Sequence, residues 1–81
     1  METDKIITEL NRIFIDVLDN PQIKLTPETT AADIEEWDSL TNIQIIVAIE
    51  KHFSIRFSSA EIQQFKDING LCECISQKLK G

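Results

Sequence analysis

Apolar side chains recur at steps of three and four in three separate stretches of this chain, and the polar segments between them mark the turns. Ile6, Leu10, Ile13 and Val17 form the first stripe, thickened by Ile7, Phe14 and Leu18. The spacing predicts an amphipathic helix of about four turns. Thr3 and Asp4 are both available to cap it, and Asp19-Asn20-Pro21 ends it.

From Asn20 to Trp37 the period is lost. Pro21, Pro27 and a cluster of Thr, Asp and Glu replace it, with Ile23, Leu25, Ile34 and Trp37 as isolated apolar pegs. A connection this long is uncommon in a small domain and usually has a role. Here it is expected to be a tethered crossover between two helices. Thr29 or Thr30 is placed to start one helical turn through Ala31-Ala32-Asp33-Ile34.

The period returns abruptly after Trp37-Asp38-Ser39-Leu40. A second helix is predicted from Ser39 to about Phe53, with Asp38 as its N-cap. Ile45, Ile46, Ile49 and Phe53 form one stripe, suited to an interior. Leu40, Ile43 and Val47 form a second, rotated around the helix. That stripe either contacts the crossover or meets a partner or an attached group. Beyond it, Ser58-Ser-Ala-Glu61 has the spacing of a capping box and opens a short third helix. Asp67 caps a last one, with Ile68, Leu71, Cys72, Ile75 and Leu79 on its apolar side. The reading is all-α: three main helices plus one short helix, with a long loop between the first two.

Length confines these elements to one small domain, residues 1–81. A chain of this size buries only about 60% of its unfolded surface, so a substrate cavity is not expected. The 8 Lys and Arg against 14 Asp and Glu give a net charge of −6, which argues against nucleic acid as a partner. No apolar run has the length of a membrane span, and Met1-Glu-Thr-Asp lacks the basic start of a signal peptide. A cytoplasmic location is expected. Cys72 and Cys74 would point to different helix faces and are read as reduced thiols. Two cysteines and one distant histidine do not make a metal site.

Ser39 is the candidate for chemistry. At the first helical position, free amides and the helix dipole favour an anion, so a serine there is well placed to carry a phosphate ester. Asp-Ser at a helix start is also a common capping pair, and alone it means only that a helix begins. Catalysis is not expected. His52, the sole histidine, lies 13 positions from Ser39 on the same helix, roughly 20 Å along its axis at 1.5 Å per residue. It is read as a solvated residue near the helix C-terminus. Glu35 and Glu36 lie near Ser39 but read as solubilising acids, and with only Gly70 and Gly81 no glycine-rich phosphate loop can form.

Across essentially its whole length the chain resembles the acyl carrier protein family, including the peptidyl and aminoacyl carriers. Asp38-Ser39-Leu40 alone is a weak match. Followed by Ile43, Ile46, Ala48, Ile49, Glu50 and Phe53, it is far more specific, and Trp37 resembles many specialised carriers. The resemblance implies a four-helix bundle in which Ser39 carries 4′-phosphopantetheine, with Asp38 in support and Leu40, Ile43 and Val47 as the partner surface. It implies a freestanding, monomeric carrier that is not an enzyme. Its partners would be a phosphopantetheinyl transferase, an acyl- or aminoacyl-loading enzyme, and a downstream synthase or acyltransferase. One departure matters. Fatty-acid carriers usually line the second helix with acids, whereas this chain has Thr41, Gln44, Lys51 and His52 there, and Glu50 alone. Steering towards basic partners would be weak, or would rest on Glu35, Glu36 and Glu61. A specialised lipid, polyketide, peptide or envelope pathway fits better. The alternative is a helical interaction module with no prosthetic group, in which Ser39 is only a cap.

Overall fold

The computed structural model describes residues 3–64 and 67–80. Four α-helices follow in order: α1 (Thr3–Leu18), α2 (Ser39–Phe53), α3 (Ser59–Gln64) and α4 (Ile68–Lys80), with one 3₁₀ turn, Ala31–Asp33, in the crossover. No strand occurs among the described residues. The all-α architecture is therefore the one the periodicity predicts.

α1 is the central packing element and touches both α2 and α4. Ile6, Leu10 and Phe14 meet Ile45 and Ile49 of α2 and Ile68, Leu71, Cys72 and Ile75 of α4 in one buried cluster. Three long apolar stripes that converge this way bury each other, which is the main stabilising term in a bundle. Val17 and Phe53 pack only partly buried against the cluster, at its edge. Leu79 departs from the expectation: it is 37% exposed. It lies in the last turn of α4.

The crossover is a built part of the core. Ile23, Leu25, Ile34 and Trp37 are all buried, as the apolar pegs predict. Polar tethers that periodicity does not reveal fix it to α1 and to α4. The Leu25 amide donates to Asn11 Oδ1 on α1 at 2.7 Å. At the other side, the Ile68 and Asn69 amides donate to the Thr29 and Pro27 carbonyls, both at 2.9 Å. The crossover thus satisfies amides at the start of α4 that would otherwise lack partners, and the Gly70 amide donates to Asp67 Oδ1 at 2.8 Å. Asp67 is the cap that its position predicts. Thr30 precedes the 3₁₀ turn, and Asp33 Oδ2 accepts from its amide at 2.9 Å. Thr29, the other candidate, is buried instead, where its Oγ1 accepts from the Thr26 amide.

α1 and α2 end alike. Asp19 (φ 53°) and Ser54 (φ 57°) are left-handed, and the following amides, of Asn20 and Ile55, reach back to the Ile15 and Glu50 carbonyls. This is the Schellman ending, which usually employs glycine. Just beyond Ser54, Glu50 Oε2 accepts from the Phe57 amide at 2.8 Å and pins the link to α3. The capping box of α3 forms as predicted, with Glu61 Oε1 accepting from the Ser58 amide and Ser58 Oγ from the Glu61 amide.

Candidate functional site

The start of α2 is densely hydrogen-bonded. Asp38 has extended backbone (φ −119°, ψ −172°), and its Oδ1 accepts from the Leu40 and Thr41 amides, each at 2.9 Å. Thr41 Oγ1 returns the favour, accepting from the Asp38 amide at 2.9 Å and donating to the Glu36 carbonyl at 2.7 Å. This is a reciprocal capping box with threonine in the usual place of Glu or Gln. The Thr41 amide, foremost among its partners, holds the Asp38 carboxyl below its ordinary value despite some opposing desolvation. Asp38 is therefore a carboxylate at neutral pH.

Trp37 anchors the other side. Its ring is 8% exposed and meets Phe14 of α1 edge-to-face, with centroids 4.9 Å apart. Its Nε1–H donates to Asn42 Oδ1 at 2.9 Å. Residues two before and three after Ser39 are thus bonded to each other, and one of them is sunk in the core. Ser39 itself is exposed, is the first residue of α2, and its hydroxyl makes no hydrogen bond among the described residues. Its backbone is fixed while its hydroxyl stays accessible. The spacing Asp38-x-x-Thr41 carried a signal for the capping box. Nothing periodic marks the Trp37–Asn42 bond.

One expectation about anions at this helix start needs correcting. The Leu40 and Thr41 amides serve Asp38, and the Asn42 amide serves the Asp38 carbonyl at 2.8 Å. An anion on Ser39 would meet the helix dipole and little else. It would face solvent rather than a nest of amides.

The second apolar stripe of α2 lies in solvent. Leu40 is 74% exposed, Ile43 64% and Val47 42%, so it does not serve to bury the crossover. On the inner face Ile45, Ile46 and Ile49 are buried. His52 is exposed in the last turn of α2, as expected, and in addition its Nε2 lies 2.9 Å from Glu9 Oε2 and links α2 to α1. It stands at the far end of one continuous helix from Ser39. Neither cysteine is a ready nucleophile. Burial pushes the Cys72 thiol up to about 11, and burial together with Glu61 raises Cys74. No group of three or more potential metal ligands occurs among the described residues.

A buried anchor, a rigid cap and an exposed serine beside apolar side chains make an attachment point for something delivered by another protein. Residues 8–75 match the family model described as "Phosphopantetheine attachment site". The chain is 28% identical over 79 residues to an acyl carrier protein of Coprothermobacter proteolyticus, covering 98% of this chain and 96% of that one. It is also 28% identical over 71 residues to polyketide-8 synthase acyl carrier protein 2 of Streptomyces avermitilis, covering 88% and 82%. Among solved structures, holo acyl carrier protein from Geobacter metallireducens superposes with a TM-score of 0.86 at 39% identity, over 91% of this chain and 85% of that one. The chain belongs to the phosphopantetheine-attachment family of acyl carrier proteins. Its cofactor is a covalently attached phosphopantetheine, and it carries groups rather than transforming them. Proteins of this family work with synthases and transferases. No described helix is long and apolar enough to cross a membrane.

Proposed function

We propose that Ser39 is the residue that bears 4′-phosphopantetheine, within a single acyl-carrier domain that acts as a monomer. The observation that carries this reading is the exposed, unbonded Ser39 hydroxyl at the first residue of α2, held between the anchored Trp37 and the Asp38–Thr41 cap. Ser39 Oγ supplies the ester oxygen. Asp38 sets where the helix begins and so fixes the direction in which that oxygen leaves the surface. When bound, the prosthetic group supplies a thiol that holds an acyl or aminoacyl group as a thioester. The chain's own thiols are unsuited to that task, because both are raised by burial. Two free cysteines suit the reducing cytoplasm.

The partners proposed are a phosphopantetheinyl transferase, a loading enzyme, and a synthase or acyltransferase that receives the cargo. Leu40, Ile43 and Val47 supply the apolar contact surface. A specialised lipid, polyketide, peptide or envelope pathway is the better setting, because the one acid of α2, Glu50, is bonded to the Phe57 amide rather than presented for docking.

The test is intact-mass measurement after incubation with coenzyme A, Mg²⁺ and a broad-specificity phosphopantetheinyl transferase. The wild-type chain gains the mass of one phosphopantetheine, and Ser39→Ala gains none while keeping its helical circular dichroism. An unchanged wild-type mass would support the module without a prosthetic group instead.

A further inference from the structure

Building on the carrier reading, we infer that the outer face of α2 docks a partner protein whose binding site is an apolar hollow bordered by carboxylates that face Lys51 and Arg56. The chain is acidic overall, with a net charge of −6. The outer face of α2 is not. Among its charged neighbours, Asp38 is committed to two amides of its own helix. Glu50 accepts from the Phe57 amide, and His52 is paired with Glu9. Glu61 is held by Ser58, Lys78 and Cys74 on the α3–α4 side. What this face presents is the exposed Leu40, Ile43 and Val47, and then two exposed cations, Lys51 and Arg56.

The apolar and basic parts are continuous. Val47, Glu50, Lys51, Ser54, Ile55 and Arg56 line one shallow cleft where α2 turns into its link to α3. Neither Lys51 nor Arg56 has an ion pair among the described residues. Lys51 stands 12 residues beyond Ser39 on α2, roughly 18 Å along the axis. A docking footprint of about 800 Å² per partner spans both. The acids near Ser39, Glu35 and Glu36, lie at the opposite end, and Glu36 Oε2 accepts from Asn20 Nδ2 at 2.8 Å. The cleft holds two cations against one carboxylate, Glu50, which already serves the Phe57 amide; its net charge is positive, and the complementary partner is negative.

A second copy of the chain does not fit this face. Two copies each carrying −6 repel, and three apolar side chains fall short of the area of about 800 Å² per side that a stable dimer buries.

The test uses the holo protein, made as above and confirmed by intact mass. Two forms of one malonyl transferase serve as probes: the first with a basic carrier-docking patch, the second with that patch changed to glutamate. Loading is measured as kcat/KM at about 0.15 M salt, where screening confines charge effects to direct neighbours. The wild-type chain is expected to load roughly tenfold faster from the acidic form than from the basic form. The double variant Lys51→Glu, Arg56→Glu is expected to reverse that preference. Equal rates from both forms, or a wild-type preference for the basic form, would overturn the inference. A chain that never gains the prosthetic mass would instead defeat the carrier reading, so the two failures are separable.

Discussion

The two faces of α2 are built from the same kinds of side chain and do opposite things. Ile45, Ile46 and Ile49 turn inward and are at most 5% exposed, whereas Leu40, Ile43 and Val47 turn outward and range from 42% to 74%. Ile45 and Ile49 of the inner set belong to the core cluster with residues of α1 and α4, whereas no residue of the outer set does. Apolar character alone does not assign a residue to the core. On a helix that is apolar nearly all round, the neighbours decide, and the surplus face is left for another molecule.

The comparison is broken most directly by truncating one residue on each face. Ile49→Ala is expected to cost about 2–5 kcal/mol, because it leaves a cavity at a position with no exposure. Ile43→Ala is expected to change stability by less than about 0.5 kcal/mol, while slowing acyl loading by partner enzymes. Urea denaturation measures the first effect and loading kinetics the second. Equal stability losses would mean that the outer face is also packed.

Asp38→Ala asks how firmly the origin of both faces is set. Its two amide bonds at the helix start predict a loss of about 1 kcal/mol by chemical denaturation. Phosphopantetheine transfer should slow as well, since the first turn would fray around Ser39.

Glu61 sharpens the contrast between structural and docking acids. The Ser58 amide first, then Lys78, pull its carboxyl down to about 2 from an ordinary 4.5. A depressed folded value stabilises the protein above the unfolded value, and that stability fades as pH falls from about 4.5 towards 2. Glu61→Gln should therefore melt lower than wild type at pH 7, with the gap closing in acid. A gap independent of pH would show that the carboxylate charge contributes nothing.

The smallest effect is at the far end of α2. Ser54 holds a left-handed conformation that glycine adopts without steric cost. Ser54→Gly is expected to raise stability by about 0.5 kcal/mol, read as a higher melting midpoint.

Much of the fold was legible because it rests on spacing. The three-and-four stripes place the main helices, and Ser58–Glu61 and Asp67 mark where the last two begin. What spacing could not show was which pairs of distant polar groups meet. Asn11 with Leu25, Thr29 with Ile68, and His52 with Glu9 are tertiary contacts, set only once the helices and the crossover have packed. At the site, Asp38 as cap and Ser39 at the helix start follow from local rules. So does the Asp38 carboxylate on the first-turn amides, but the bond from Trp37 to Asn42 that steadies the motif does not. The spacing of α4 places Leu79 on the apolar side, yet in the last turn it is exposed.

The proposed carrier role requires Ser39 Oγ to be the modified oxygen. Proteolysis of the transferase-treated chain, followed by fragmentation mass spectrometry, locates the added group directly. The group is expected on the peptide carrying Trp37-Asp38-Ser39-Leu40, at the serine. Modification mapped to Ser54, Ser58, Ser59 or Ser76 would contradict the account.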